Sequence, residues 1–281
     1  MRLALGTVQF GLDYGISNRA GEVQDQELDA ILALARKLGV NTLDTAQAYG
    51  KAEARLGMCN TADFQVITKL SPNIDAADLT PSLEASLQRL ARPSVEGLLL
   101  HRSQDASPAL FERLADLQHQ GKVGKVGVSV YTPEELTRWL EQGYPLELVQ
   151  LPANLLDQRF LRAGWLDRLQ AMGCEIHVRS LFLQGLLLMQ PTLRPPYFDA
   201  FSEPLSRLDG WQPHLSLLHK ALALIPALPQ VSRFVVGVCH AHELAAIVSA
   251  YAHLHPAQDA ELATLACDEP ALINPAMWRT S

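Results

Sequence analysis

No apolar run in this chain is long enough to cross a bilayer. The longest, Leu181 to Met189, is broken by Gln184 and Gly185, whereas a spanning helix needs about 20 apolar residues. The N-terminal stretch MRLALGTVQFG has no extended apolar h-region and reads as a strand beginning almost at once, so a cytoplasmic protein is the expectation. The four cysteines, Cys59, Cys174, Cys239 and Cys267, stand singly with no CxxC pair. Neither a zinc ribbon nor a disulfide framework is indicated, and buried free thiols are expected. No stripe of Lys and Arg is present, and the net charge of −7 argues against a nucleic-acid partner. The dinucleotide fingerprint GxGxxG is also missing. The first turn reads Gly6-Thr7-Val8-Gln9-Phe10-Gly11, and GKVGKVG at 121–127 has the wrong spacing for a phosphate cradle. His240/His242 and His253/His255 flank a helix at opposite ends with no carboxylate or thiolate set at ligand spacing, so no metal is expected.

What is present is a large apolar core. Hydrophobic residues make up 48% and charged residues 19% of the 281, which excludes disorder. Short apolar runs recur, and strands are expected at Leu3–Val8, Asn41–Leu43, Phe64–Thr68, Gly97–Leu100, Val126–Val128, Leu148–Leu151, Glu175–Val178 and Phe234–Val236. Between them, apolar residues fall at helical spacing, clearest in the sets Leu28, Ile31, Leu32, Ala35, Leu38 and Leu244, Ile247, Val248, Tyr251. Gly39 and Gly121 stand where left-handed caps end helices, and Thr132-Pro133-Glu134-Glu135 starts one. Strands alternating with helices imply a parallel sheet. With no Gly-, Pro- or Ser-rich linker between halves, an α/β fold of the (β/α)8 TIM-barrel type, one domain over residues 1–281, is expected, a doubly wound sheet being the alternative. Residues 182–213, with five prolines and interspersed aromatic residues, break the rhythm after the seventh strand; a lid over the site is expected there, an insertion packed on the barrel wall being the other reading.

Four polar residues stand where apolar runs end: Asp44 and Tyr49 in LDTAQAYG, Lys69 in FQVITK, His101 in EGLLLH. In a barrel these follow strands two, two, three and four, and neighbouring strands lie about 5 Å apart, so the side chains can share a pocket. A phenol with an ordinary pKa of about 10 is a weak acid at neutral pH. A neighbouring ammonium at Lys69 is expected to lower that pKa, with Asp44 holding Lys69 charged and His101 binding a substrate oxygen. Such a set can donate a proton to an oxygen gaining negative charge.

With these residues in view, the chain resembles the aldo-keto reductases. DTAQAYG resembles the family's D-[TS]-A-x-x-Y-G segment, ITK its strand-three lysine and LLLH its strand-four histidine. GTVQFG, GKVGKVGVS and LVQLPANLLD are similar to its first-, fifth- and sixth-strand motifs, and the likeness runs from about residue 3 to 252. The resemblance implies reduction of an aldehyde or ketone, a sugar or sugar derivative among them, by hydride from nicotinamide C4, with Asp44, Tyr49, Lys69 and His101 catalytic. It also implies a cofactor site. Ser129 and Gln150 would hold the carboxamide, with Gly6, Thr7 and Asp44 near the ribose. Arg179, Ser180, Leu181, Gln184 and Gly185 would follow the pyrophosphate, and Gly237, Val238, His242 and Glu243 the adenosine.

The chain departs from the family pattern in places. Ser129 is followed by Val130 rather than Asn, and Arg179 stands where a tyrosine commonly stacks on nicotinamide. Arg179 reads either as a cofactor or anionic-substrate contact or as a salt bridge beneath the long loop. No Lys or Arg follows strand eight for a 2′-phosphate, so NADP rests on the family habit and NAD stays open. With the first strand beginning near Arg2, the family's N-terminal hairpin is not expected here. Pocket selectivity is expected from Phe10, Tyr14, Tyr131 and the long loop. The expected partner is a small carbonyl substrate, and the oligomeric state is open. Two other readings are a cofactor-sensing or scaffold barrel with little turnover, and a cofactor-free lyase or isomerase using Lys69 as an amine.

Overall fold

Eight parallel strands, β1 (Leu3–Gly6), β2 (Thr42–Asp44), β3 (Gln65–Lys69), β4 (Val95–Leu100), β5 (Val123–Ser129), β6 (Leu148–Pro152), β7 (Glu175–Arg179) and β8 (Arg233–Gly237), close into a barrel in sequence order, with β8 beside β1. The computed structural model describes residues 1–279; Thr280 and Ser281, the end of the expected domain, lie outside the described residues. Helices α1 (Asp25–Leu38), α2 (Ala52–Met58), α3 (Ala76–Arg89), α4 (Pro108–His119) and α5 (Pro133–Glu141) follow the first five strands. The short α6 (Arg159–Arg162) and α7 (Trp165–Ala171) follow β6, and α8 (Ser202–Gly210) and α9 (Leu217–Leu222) follow β7. After β8 come α10 (Ala241–Ala252), α11 (Asp259–Leu265) and α12 (Pro270–Ile273). No helix among the described residues is long and apolar enough to cross a membrane.

Local signals act as the sequence suggests. Gly39 ends α1 at φ 75°, where its N–H and that of Val40 reach back to the last-turn carbonyls. The Glu135 carboxylate accepts from the N–H groups of Tyr131 and Thr132 and so ties down the start of α5. Strand limits shift at the ends: β1 stops at Gly6, because Val8–Phe10 form a 3-10 turn, and β4 and β5 begin earlier, at Val95 and Val123. Cys174 is buried, but Cys59, Cys239 and Cys267 are only half-buried, so three of the four thiols are less enclosed than expected; all are free.

The main core lies between barrel and helices, while Ile67, Leu99 and Leu148 form a separate apolar cluster. Register explains why polar groups collect above it. Asp44 pairs with Ile67, Lys69 with Leu99, Ser129 with Gln150 and Gln150 with His177, so the last residues of successive strands share one end of the barrel. That is the end where sites of this fold assemble.

Residues 182–213 do not pack as one piece. Phe182, Gln184, Gly185, Leu188 and Gln190 line the central cavity, as do Ser216–Leu218 beyond the segment. The stretch from 191 to 211 packs elsewhere: Tyr197 donates to the Ala271 carbonyl at 2.8 Å, Phe198 meets Trp278 edge-on, and Arg194 pairs with Asp209. Only its first part therefore roofs the cavity; the remainder is anchored to the C-terminal segment.

Candidate active site

Lys69 is the hub of the site. Its ammonium donates to Asp44 Oδ1 at 2.7 Å and to the Thr45 carbonyl at 3.0 Å, and lies 3.4 Å from the Tyr49 hydroxyl. The second Asp44 oxygen accepts from Gln150 Nε2 at 2.7 Å. Lys69 is 1% exposed and Asp44 3%. Burial opposes the lysine's charge, yet Asp44 and Tyr49 outweigh it, and the pKa is raised. The Tyr49 and His101 rings stand edge to face, 6.1 Å apart.

The Tyr49 pKa corrects the sequence expectation. Burial raises it, and although Lys69 pulls in the expected direction, the net shift is upward. Desolvation of a phenolate in an enclosed site outweighs one ammonium whose charge is already shared with Asp44. His101 moves the other way, to about 4, because burial and then the charges of Lys69 and Arg179 disfavour the imidazolium. Its Nδ1 is buried without a partner among the described residues.

Two glycines let the tyrosine turn seat itself. A Cβ at Gly11 would lie 2.1 Å from the Tyr49 carbonyl oxygen, and one at Gly50, where φ is +54°, 2.3 Å from the Gly11 oxygen. The last glycine of GTVQFG and the last of DTAQAYG therefore face each other backbone to backbone.

A cavity of about 1040 Å³ runs from Tyr49, Lys69 and His101 past Ser129, Gln150 and Arg179 to Gly237–His240 and Glu243. Of the residues expected there, Gly6, Thr7, Asp44, Ser129, Gln150, Arg179, Ser180, Leu181, Gln184, Gly185, Gly237, Val238 and Glu243 do line it. Thr7 is fully buried, its hydroxyl engaged with the Asp44 carbonyl at 3.0 Å. Gln150 leaves Oε1 without a partner among the described residues, beside the strand-paired Ser129, a donor–acceptor pair suited to a carboxamide. Ser180, Leu183 and Gln184 hold left-handed backbone at φ 61°, 48° and 53°, a strain that for non-glycine residues collects at ligand clamps. A facing loop holds them, Ile16 N donating to the Gln184 carbonyl at 3.1 Å and Gln184 Nε2 to the Tyr14 hydroxyl at 3.1 Å.

Three expectations are corrected here. His242 is exposed in the first turn of α10; His240, one step before the helix, lines the cavity, and the two imidazoles stack 5.2 Å apart. Phe10 is fully buried away from the cavity, while Tyr14 and Tyr131 line it. Among the described residues Arg179 makes no salt bridge beneath the loop. Its guanidinium lies 4.0 Å over the Tyr131 ring and donates to the Val130 carbonyl at 3.0 Å.

A family model for the aldo/keto reductases matches residues 2–266. The chain belongs to the aldo/keto reductase family. The chain is 29% identical over 204 residues to the L-glyceraldehyde 3-phosphate reductase of Escherichia coli K12, a stretch covering 63% of this chain and 59% of that protein. It is 29% identical over 180 residues to an aldo-keto reductase of Mycolicibacterium smegmatis, covering 60% and 64%. The match thus spans less than two thirds of these relatives' length. A putative aldo-keto reductase of Pseudomonas aeruginosa superposes with a TM-score of 0.68 at 26% identity over 90% of each chain. The holo form of an aldo-keto reductase from Bacillus halodurans gives 0.77 over 99% of this chain and 95% of that one; at 19% identity the likeness is one of fold.

Gln9 and His240 are among the cavity residues that the sequence did not assign to the site. Gln9, an internal residue of GTVQFG, packs its amide against Gly237 and so links the β1 and β8 ends. His240 had a usable signal: Glu243, three residues on, accepts from the N–H groups of Cys239 and His240, a capping-box spacing that puts residue 240 at the helix mouth.

Proposed function

We propose that this aldo-keto reductase reduces a small aldehyde or ketone, of the sugar or sugar-derivative class, with a nicotinamide dinucleotide as hydride donor and Tyr49 as proton donor. The observation that carries the reading is the single ammonium of Lys69 held between Asp44 and the Tyr49 hydroxyl. Tyr49, a phenol protonated at neutral pH even at its ordinary pKa of about 10, is held further in that form because burial raises its pKa. It can then give that proton to a carbonyl oxygen that is accepting electrons. Lys69, held charged by Asp44, stabilises the phenolate left behind. His101, neutral at pH 7, can donate an N–H to the same oxygen without adding charge. A lysine held charged in this way is a poor amine nucleophile, which weighs against Schiff-base chemistry.

The cofactor, when bound, supplies the hydride at nicotinamide C4. Ser129 and Gln150 would hold its carboxamide, Gly6, Thr7 and Asp44 would flank the ribose, Ser180 to Gly185 would follow the bridging chain, and Gly237, Val238, His240 and Glu243 would receive the adenosine. NADP is the family habit, and NAD suits a segment from Gly237 to Ile247 that has no Lys or Arg. The sugar class rests on the relative named as an L-glyceraldehyde 3-phosphate reductase.

Fluorescence titration with NADPH and NADH tests the reading; binding of neither would sink it. Tyr49→Phe should lower kcat by about 10²–10⁴-fold while the cofactor Kd stays within a factor of about two. A matching loss of binding would make the phenol structural instead.

A further inference from the structure

Arg179 carries a charge that no carboxylate among the described residues pairs with. At the reacting end of the cavity, Asp44 and Lys69 neutralise each other at 2.7 Å, and the second Asp44 oxygen is taken by Gln150. His101 adds no charge at neutral pH. The partners of the Arg179 guanidinium are the Val130 carbonyl, the Ser180 hydroxyl at 3.3 Å and the face of Tyr131. None is a carboxylate. A guanidinium has five N–H donors, and one contact from each terminal nitrogen leaves the rest available. Stacking on Tyr131 has already restricted its rotamers, so little further ordering is needed to bind an anion.

The position of Arg179 says which molecule brings that anion. Its charge acts on Tyr49, His101 and Tyr14, all of which line the cavity with it. A carbonyl receiving the Tyr49 proton must lie within this ring of side chains. The phosphates of a dinucleotide are separated from its reacting ring by a whole ribose, so an anion inside the ring belongs to the other reactant. We infer that Arg179, steadied by Tyr131 and the Val130 carbonyl, binds a carboxylate or phosphate group on the carbonyl substrate, so that the enzyme selects anionic aldehydes or ketones. This rests on the carbonyl-reductase reading and narrows its substrate class.

Matched substrate pairs test it: 4-oxobutanoate against butanal, and glyceraldehyde 3-phosphate against glyceraldehyde. In the wild-type enzyme kcat/KM should favour the anionic member of each pair by about tenfold or more, the worth of one charged hydrogen bond. Arg179→Met should cut that ratio by about 10- to 100-fold, and Arg179→Lys, which keeps the charge but loses the fork, by less. Succinate should compete with the aldehyde in the wild type, a readout that survives if Arg179→Met does not fold. A wild-type ratio near one, or a ratio unchanged in Arg179→Met, overturns the inference. An unchanged ratio with a weakened cofactor Kd would assign Arg179 to a cofactor phosphate. Turnover without preference sinks this inference alone; no turnover on any member, with neither nucleotide bound, sinks the reductase reading along with it.

Discussion

The acid and the imidazole at the centre of the site are tuned in opposite directions by the same burial. Desolvation disfavours whichever form is charged, so it raises the Tyr49 phenol and lowers His101, and Lys69 moderates the first and deepens the second. His101 carries a consequence for stability. Its pKa falls from 6.5 in the unfolded chain to about 4 in the fold. Between those values the unfolded state binds more protons, so stability falls as pH drops from 6.5 towards 4 and is unaffected by this group above 6.5. The wild type should therefore lose Tm more steeply over that interval than His101→Asn, as measured by thermal melts at pH 7, 5.5 and 4.5. Equal slopes would mean that the imidazole is not held neutral. The identities of these two residues were legible in LDTAQAYG and EGLLLH. The net direction at Tyr49 was not, because it depends on how completely the surrounding strands and loops enclose the ring.

At the scale of elements, the catalytic turn depends on a backbone contact between the first and second strand–helix units. Gly11 and the Tyr49 carbonyl approach so closely that a methyl group cannot enter without moving the turn. Gly11→Ala should cost about 1–3 kcal/mol of stability by overpacking. By displacing the phenol it should also lower kcat by about 10²-fold. Denaturant unfolding and steady-state kinetics on one preparation would show both losses; a kcat within twofold of wild type would show that Tyr49 is placed independently of Gly11. Most elements could be read from the sequence because their causes are local: periodic leucines, the Gly39 cap, the Thr132–Glu135 box. The failures have local explanations too. At α10 the Glu243 carboxylate accepts from the N–H groups of Cys239 and His240, and His240 lines the cavity while His242, two residues on, faces solvent, a distinction that the HxH spacing alone does not carry.

At the scale of the molecule, the barrel is polar at both ends and apolar between. Opposite the site, the Glu175 carboxylate meets the Lys125 ammonium and His177 Nε2, the latter at 2.8 Å, and Arg233 donates to Thr42 at 3.0 Å. The hydrogen bond from His177, followed by that from Lys125, outweighs burial and holds the Glu175 carboxyl down at about 2, against an ordinary 4.5. A depressed carboxyl contributes stability that is present above 4.5 and lost as pH falls from there towards 2. Glu175→Gln should accordingly destabilise the fold at pH 7, by about 1–3 kcal/mol, and the gap from wild type should be clearly narrower at pH 3, part-way through the loss. Urea midpoints at the two pH values test this; a constant gap would show that the charge is not what matters.

The sequence by itself determined the alternation of strands and helices, and with it the barrel and the alignment of Asp44, Tyr49, Lys69 and His101 at its strand ends, since hydrophobic period and capping are properties of neighbouring residues. Only the tertiary structure decided what meets across the chain. Arg179 finds Tyr131 rather than a carboxylate among the described residues, the 182–213 segment divides between the cavity lining and the C-terminal segment, and Tyr49 is desolvated more than Lys69 can offset. Each of these depends on distances between residues far apart in sequence, which barrel closure and register set and no local pattern encodes.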